Sequence, residues 1–381
     1  MKILFTSPVF GFPSIGGPEL RIETSIKALS KISNLVCYIR LPKLRLTNES
    51  NNFLNNLSEK VYYLDPHIPK DVFWPQILEN EKPDLIWFGY GNISYVLMKY
   101  LKSITNIPLV CDTDSVWSKF ILRELDVENN QERRLEVAEE GKIKEHEEKD
   151  WVNFCNVTTA VSEIDMEYYK SLTKNKNKIH LFSNVIDLSS YQTTIENIYN
   201  ITSPSLYLAG TFWKNSPMED ATRWFVDKVF SNLIIKYPNL KLYILGKKST
   251  EIVGDLSNQN IHVVGKVESV LPYLKHVDVV LVPLRFESGT RFKILEAMAC
   301  KKAIVSTTLG AEGIPITDGE NILIADEPNI FYQKIVDLIE NKLTKNNLAQ
   351  NGYNLVKEQY NIENLALQGK IICKYVGLIN D

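Results

Sequence analysis

The feature that most constrains this chain is a rhythm of short apolar runs set between longer stretches of helical spacing, stated twice. The first series is Ile3–Thr6, Leu35–Arg40, Val61–Leu64, Leu85–Phe88, Leu109–Cys111, Val157–Val161 and Ile179–Phe182. The second is Ser205–Ala209, Lys241–Leu245, Ile261–Val264, Val279–Val282, Ala303–Ser306 and Asn321–Ile324. Runs this short, bounded by turn residues and apolar almost throughout, are the mark of parallel strands covered on both faces. Alternation with helical segments makes each series a set of βα units. Between Asp187 and Thr202 the periodicity lapses among Ser189, Ser190, Asn197 and Asn200, as it does in a connection between domains. The expected architecture is α/β, with two Rossmann-like domains whose parallel sheets face across a cleft. Residues 1–187 form the first domain, 188–204 a linker, 205–360 the second domain, and 361–381 a C-terminal helix expected to pack back toward the first. Ligands of open α/β sheets lie beyond the carboxyl ends of the strands, so function is sought in the loops that follow them.

A length of 381 residues exceeds what one core usually supports, in keeping with two domains. A net charge of −3 gives no general field toward nucleic acid or anionic lipid, and no nucleic-acid partner is expected. The local cluster Lys170, Lys174, Lys176 and Lys178 reads as a solvated turn, with an anionic partner as the alternative. Cys37, Cys111, Cys155, Cys300 and Cys373 are widely spaced and lack CxxC or Cys/His pairing, which favours buried free thiols over disulfides or zinc. Leu122–Trp151, dense in Glu, Lys and Arg, reads as one or two exposed helices. The N-terminus runs directly into a strand, and no apolar stretch approaches bilayer-spanning length. A cytoplasmic protein, at most peripheral to a membrane, is the expectation.

The most informative stretch runs from Val282 to Cys300. A strand ends at Pro283, the small-residue turn Ser288-Gly289-Thr290 follows, and a helix then carries Phe292, Leu295 and Ala299 on its expected inner face. The free N–H groups at a helix start favour an anion, and Gly289 would let a phosphate approach the main chain. Arg291 and Lys293 add positive charge, and Glu296 offers a carboxylate able to accept from both hydroxyls of a ribose. Taken alone, Ser-Gly-Thr before a helix is equally an ordinary N-cap.

Ser288–Cys300 together with Lys301–Ile314 resembles the signature of group-1 retaining glycosyltransferases of GT-B fold. Asp318–Asn321, Gly352–Tyr360, Ala160–Glu163, Ser183–Asp187 and Gly210–Lys214 resemble further stretches of that family. The resemblance implies a sugar moved from a nucleotide-diphosphate donor to a hydroxyl of a saccharide, glycolipid or glycoprotein, with retained configuration. It implies polysaccharide or glycoconjugate assembly, and no cofactor beyond the nucleotide sugar itself. No metal is expected, because no Asp-x-Asp triplet appears in a donor-binding loop; Asp112-Thr113-Asp114 is such a triplet but lies in the first domain. Glu296 then stands as the second acid of the family's E-x7-E pattern, the one that binds donor ribose. Counting back gives Ser288 where the first acid belongs, and Glu287 lies one residue early.

The remaining candidates follow the same resemblance. Gly16 and Gly17 open the first helix, facing donor diphosphate or acceptor, or else form a plain flexible loop; Arg21 lies on that helix on the acceptor side. Asp114 occupies the place where family members often carry a histidine, and would bind a sugar or acceptor hydroxyl or merely cap the next helix. Lys214 would complement the diphosphate, or be a surface lysine beside Trp213. The donor set is thus Gly17, Lys214, Ser288, Gly289, Thr290, Arg291, Lys293 and Glu296; Asp114, Glu287 and Arg291 are assigned to the reaction itself. Lys301 stands where the family ends its helix with glycine, so strain is expected if it turns left-handed. None of His67, His146, His180, His262 and His276 has a catalytic context. Two other readings keep the fold: a sugar-nucleotide epimerase, and a catalytically silent partner that binds a nucleotide sugar.

Overall fold

The structure, a computed structural model, describes residues 1–379. Seven parallel strands make one sheet: β1 (Lys2–Ser7), β2 (Asn34–Ile39), β3 (Lys60–Tyr63), β4 (Leu85–Gly89), β5 (Leu109–Asp112), β6 (Val157–Ala160) and β7 (Ile179–Leu181), in the order β3-β2-β1-β4-β5-β6-β7. Six more make a second: β8 (Ser205–Ala209), β9 (Lys241–Leu245), β10 (Ile261–Gly265), β11 (Val279–Val282), β12 (Ala303–Ser306) and β13 (Leu323–Ile324), in the order β10-β9-β8-β11-β12-β13. Every apolar run of the sequence overlaps a strand. Central strands β4, β5, β6, β11 and β12 are buried along their whole length, whereas the edge strand β3 is not. Helices cover both faces of the inner strands, which is why these read as unbroken apolar text.

Contacts divide the chain into two compact units. The first holds Met1–Val185, Ser288–Thr290 and the chain from Ile362; the second holds Ile186–Glu287 and Arg291–Asn361. Residues 188–204 therefore count with the second unit, where Leu188–Tyr191 forms a 3-10 turn and Tyr191 is buried. The helix Ile362–Tyr375 completes the first unit by packing on the helix Gly17–Ser30; a side chain at Gly369 would come 3.1 Å from Ile32 Cδ1. Gln368 of the same helix accepts from the Ser183 amide at 2.8 Å.

The charged segment after Leu122 is a long helix, Gln131–Phe154, capped by the Asn130 side chain accepting from Arg133 N at 3.0 Å. Only a narrow stripe of it is buried, including Val137, Gly141, Glu148, Trp151 and Val152. All five cysteines are buried free thiols. The lysine cluster is not one solvated face: Lys178 is buried and donates to the Asn153 carbonyl at 3.0 Å, and Lys170 pairs with Glu167 at 2.8 Å.

Each sheet reverses its direction of growth once. In the first the reversal lies between β1 and β4, in the second between β8 and β11. The loops after these four strands are where such sheets hold ligands.

Candidate active site

In the second unit, the loop after β11 leads into the helix Phe292–Ala299, whose buried residues are Ile294, Leu295, Ala297, Met298 and Ala299. Phe292, expected on this inner face, is only partly covered, because the buried stripe runs out at the first residue of the helix. Lys293 and Glu296, three residues apart, share the face that stays in part solvent-accessible. Glu296 Oε1 accepts a hydrogen bond from the Tyr191 hydroxyl at 3.0 Å. Burial raises the Glu296 carboxyl to about 7, while Tyr191 and the Lys293 ammonium pull it back toward the usual range. Burial likewise lowers Lys293 to about 8; Glu287 opposes this, Arg291 adds to it and Glu296 opposes it. Two charges held at a cost where solvent still reaches them are the signature of a site shaped for a ligand.

The Lys293 ammonium points at the carboxyl end of β8. It lies 3.0 Å from Met218 Sδ, and a side-chain carbon at Gly210 would come within 3.1 Å of it. Gly210 cannot carry one easily, since Met218 would be only 2.7 Å away. Gly246, after β9, has φ of +132° and would place a Cβ 1.7 Å from the Gly210 carbonyl oxygen. Two loops thus meet backbone to backbone beneath the lysine. Lys214, four residues beyond Gly210, is exposed and forms no ion pair among the described residues. Arg291, at the N-cap position, is 5% exposed and donates from Nη2 to the Leu309 carbonyl at 3.1 Å. Its guanidinium is therefore turned toward the loop that follows β12, while Glu287 is half-buried. At the far end of the helix, Lys301 does take the left-handed conformation, with φ of +53°.

Within the first unit, Ser288–Thr290 lies against the end of β5. A Cβ on Gly289, whose φ is +77°, would stand 2.7 Å from Ser115 Cβ and 2.8 Å from the Asp114 carbonyl oxygen. The close approach that requires a glycine at this position is therefore made to the backbone and side chain of residues 114–115. Ser288 and Thr290 are buried, and Thr290 Oγ1 accepts from Asn184 Nδ2 at 2.7 Å, which ties in the Ser183–Asp187 stretch.

Asp114 accepts from Asn92 Nδ2 at 2.6 Å and from Trp117 Nε1 at 3.2 Å. Burial raises its carboxyl above the usual range, opposed by the donors Asn92, Trp117 and Tyr90. It does not cap the helix Trp117–Leu122, which has no side-chain cap, so the capping alternative falls. Gly16 is the N-cap of the helix Gly17–Ser30 and Gly17 its first residue. Arg21, expected on the acceptor side, is instead interior: 1% exposed, it pairs with Asp112 and donates to the carbonyls of Ser183 and Phe182 at 2.6 and 2.7 Å. Asp112, which also receives Thr159 Oγ1 at 2.7 Å, is thus committed to holding the sheet.

Sequence reasoning does not single out Tyr191. Its only sign there is an aromatic residue in a polar stretch, with its partner far along the chain. Asn92 and Asn184 escape it for the same reason. The histidines lie elsewhere: His180 packs on Tyr375, His262 on Tyr243, and His276 bonds the Ile195 carbonyl.

Residues 203–341 match the family described as glycosyl transferases group 1. An uncharacterised glycosyltransferase of Methanocaldococcus jannaschii is 23% identical over 404 aligned positions, which cover 94% of each chain. Among solved structures, Anabaena HepE in complex with UDP-glucose superposes with a TM-score of 0.72 at 15% identity over 100% of both chains. Sucrose-phosphate synthase from Thermosynechococcus elongatus superposes with a TM-score of 0.76 at 16% identity over 98% of both. The two parallel-sheet units, the switch-point loops of the second and the superposition on these solved structures lead to one assignment: the chain has the GT-B fold, and its residues 203–341 match the group 1 glycosyltransferases.

Proposed function

We propose that this glycosyltransferase takes its sugar from a nucleoside-diphosphate donor and passes it, with retained configuration, to a hydroxyl of a saccharide, glycolipid or glycoprotein during polysaccharide or glycoconjugate assembly. The observation that carries the donor assignment is the pair Glu296 and Lys293: a carboxylate and an ammonium on one accessible helix face, at the switch point of the second sheet. Glu296 would accept from the ribose hydroxyls and Lys293 would balance the diphosphate. Lys214, exposed on its loop, adds a second cation for the leaving group as negative charge develops there. Retention rests on the resemblance of Ser288–Ile314 to the retaining family, with the departing diphosphate helping to remove the acceptor proton. Metal independence is part of the proposal, and the Asp112 carboxylate of the Asp112-Thr113-Asp114 triplet is already paired with Arg21.

The HepE complex, with UDP-glucose bound, supports a uridine donor as the first to test. Glu296→Ala and Lys293→Ala are each expected to lower donor affinity or turnover by about tenfold or more, the scale of a lost charge-assisted bond. Measuring UDP binding, donor hydrolysis and transfer in both variants tests this. Unchanged values in both would end the assignment.

A further inference from the structure

Deepening that reading, and resting on it, we infer that Tyr191 is the positioning residue that keeps Glu296 charged and aimed for the nucleotide ribose. The case begins with how firmly Tyr191 is fixed. It closes the 3-10 turn Leu188–Tyr191, which starts at Asp187; the Asp187 side chain accepts from the Ser189 amide at 3.1 Å and from its hydroxyl at 2.6 Å. The Tyr191 carbonyl accepts from the Lys275 ammonium. Lys302 in turn fixes that neighbourhood, donating to the carbonyls of Lys275 and Val277 at 2.6 and 2.9 Å. Further along the segment, His276 holds the Ile195 carbonyl at 2.8 Å. The segment is fastened along its length, and the Tyr191 side chain is 7% exposed with its hydroxyl on Glu296 Oε1.

A hydroxyl donated to one carboxylate oxygen does two things. It stabilises the ionised form against burial, and it fixes the plane of the carboxylate so that Glu296 Oε2 keeps its lone pairs for another donor. The first effect matters because Glu296 stands near the middle of its titration at neutral pH, at about 7. Removing the hydroxyl moves the carboxyl further up, so a larger share of the protein is protonated and a poor acceptor for ribose. Tyr191 acts through Glu296, by the hydrogen bond to its Oε1.

The test is Tyr191→Phe, which keeps the ring and removes one oxygen. UDP affinity of wild type and variant is measured by calorimetry from pH 6 to 9, beside a carbon-13 NMR titration of Glu296, its resonance assigned with Glu296→Gln. The expected result is a Glu296 midpoint about one pH unit higher in the variant. UDP affinity should be several-fold weaker at pH 7, with the two proteins converging by pH 9. An unmoved Glu296 midpoint, or a UDP affinity lowered by the same factor at every pH, would overturn the role of Tyr191 while leaving the donor site standing. Failure of the wild type to bind UDP, ADP or GDP at any pH would instead bring down the functional reading, and this inference with it.

Discussion

Glu296 holds its charge at the expense of the fold, and replacing it by glutamine should separate stability from function. Its carboxyl lies near 7 rather than at the usual 4.5. The folded chain therefore binds that proton more tightly than the unfolded chain does. The contribution of this group to stability is fully present below pH 4.5, falls as pH rises through the window between 4.5 and 7, and is gone above it, where the ionised carboxylate has to be kept in place. The gap corresponds to about 3 kcal/mol, and partial solvent access reduces this to about 2 kcal/mol. The glutamine amide oxygen of the Glu296→Gln protein can still accept from Tyr191, so the hydrogen bond is kept. The variant should melt higher than wild type at pH 8, by about 4–8 °C at the sensitivity of a domain of this size, and the difference should close by pH 5. With UDP present the order should reverse: at a hundredfold excess over Kd the wild type gains about 2.7 kcal/mol, and the variant gains far less. Thermal unfolding by circular dichroism at pH 5 and 8, with and without UDP, measures all four quantities. A variant no more stable than wild type at pH 8, or one protected equally by UDP, would refute the reasoning.

Two substitutions test other parts of the structure. Lys301→Gly should stabilise the protein by about 0.5 kcal/mol in urea unfolding, because relief of the left-handed residue outweighs loss of the Lys301 contact with the Tyr353 ring at 4.6 Å. Destabilisation would show that the ring contact dominates. Arg21→Ala should cost about 3–5 kcal/mol by leaving Asp112 charged and unpaired in the core, and adding Asp112→Asn should recover a large part of it in the same assay.

What can be read in advance follows a physical division. Strands such as Val279–Val282 and Ala303–Ser306 announce themselves because burial on both faces writes an unbroken apolar run. The left-handed turn at Lys301 is legible only conditionally, from the resemblance to a family that ends this helix with glycine, and the residue does adopt it. Side-chain partnership is not. Arg21 reads as an acceptor-side residue until Asp112, on a strand far along the sequence, is folded against it. Gly289 reads as a glycine needed for a close approach, but nothing local says that the close neighbours on its Cβ side are residues 114–115. Tyr191 reads as one aromatic in a polar stretch, and nothing local to it signals Glu296. Periodicity reports what a segment buries; it does not report which distant group shares that burial.

The helix Ile362–Tyr375 has a consequence for synthesis. It lines the first unit, against Leu29 and Ile32, yet the ribosome produces it only after the whole of the second unit. A nascent chain emerging N-terminus first can close the second sheet while the first still lacks one of its walls. Until that helix arrives, the apolar side chains it covers stay wet, and the half of the protein made earliest is the half that matures last.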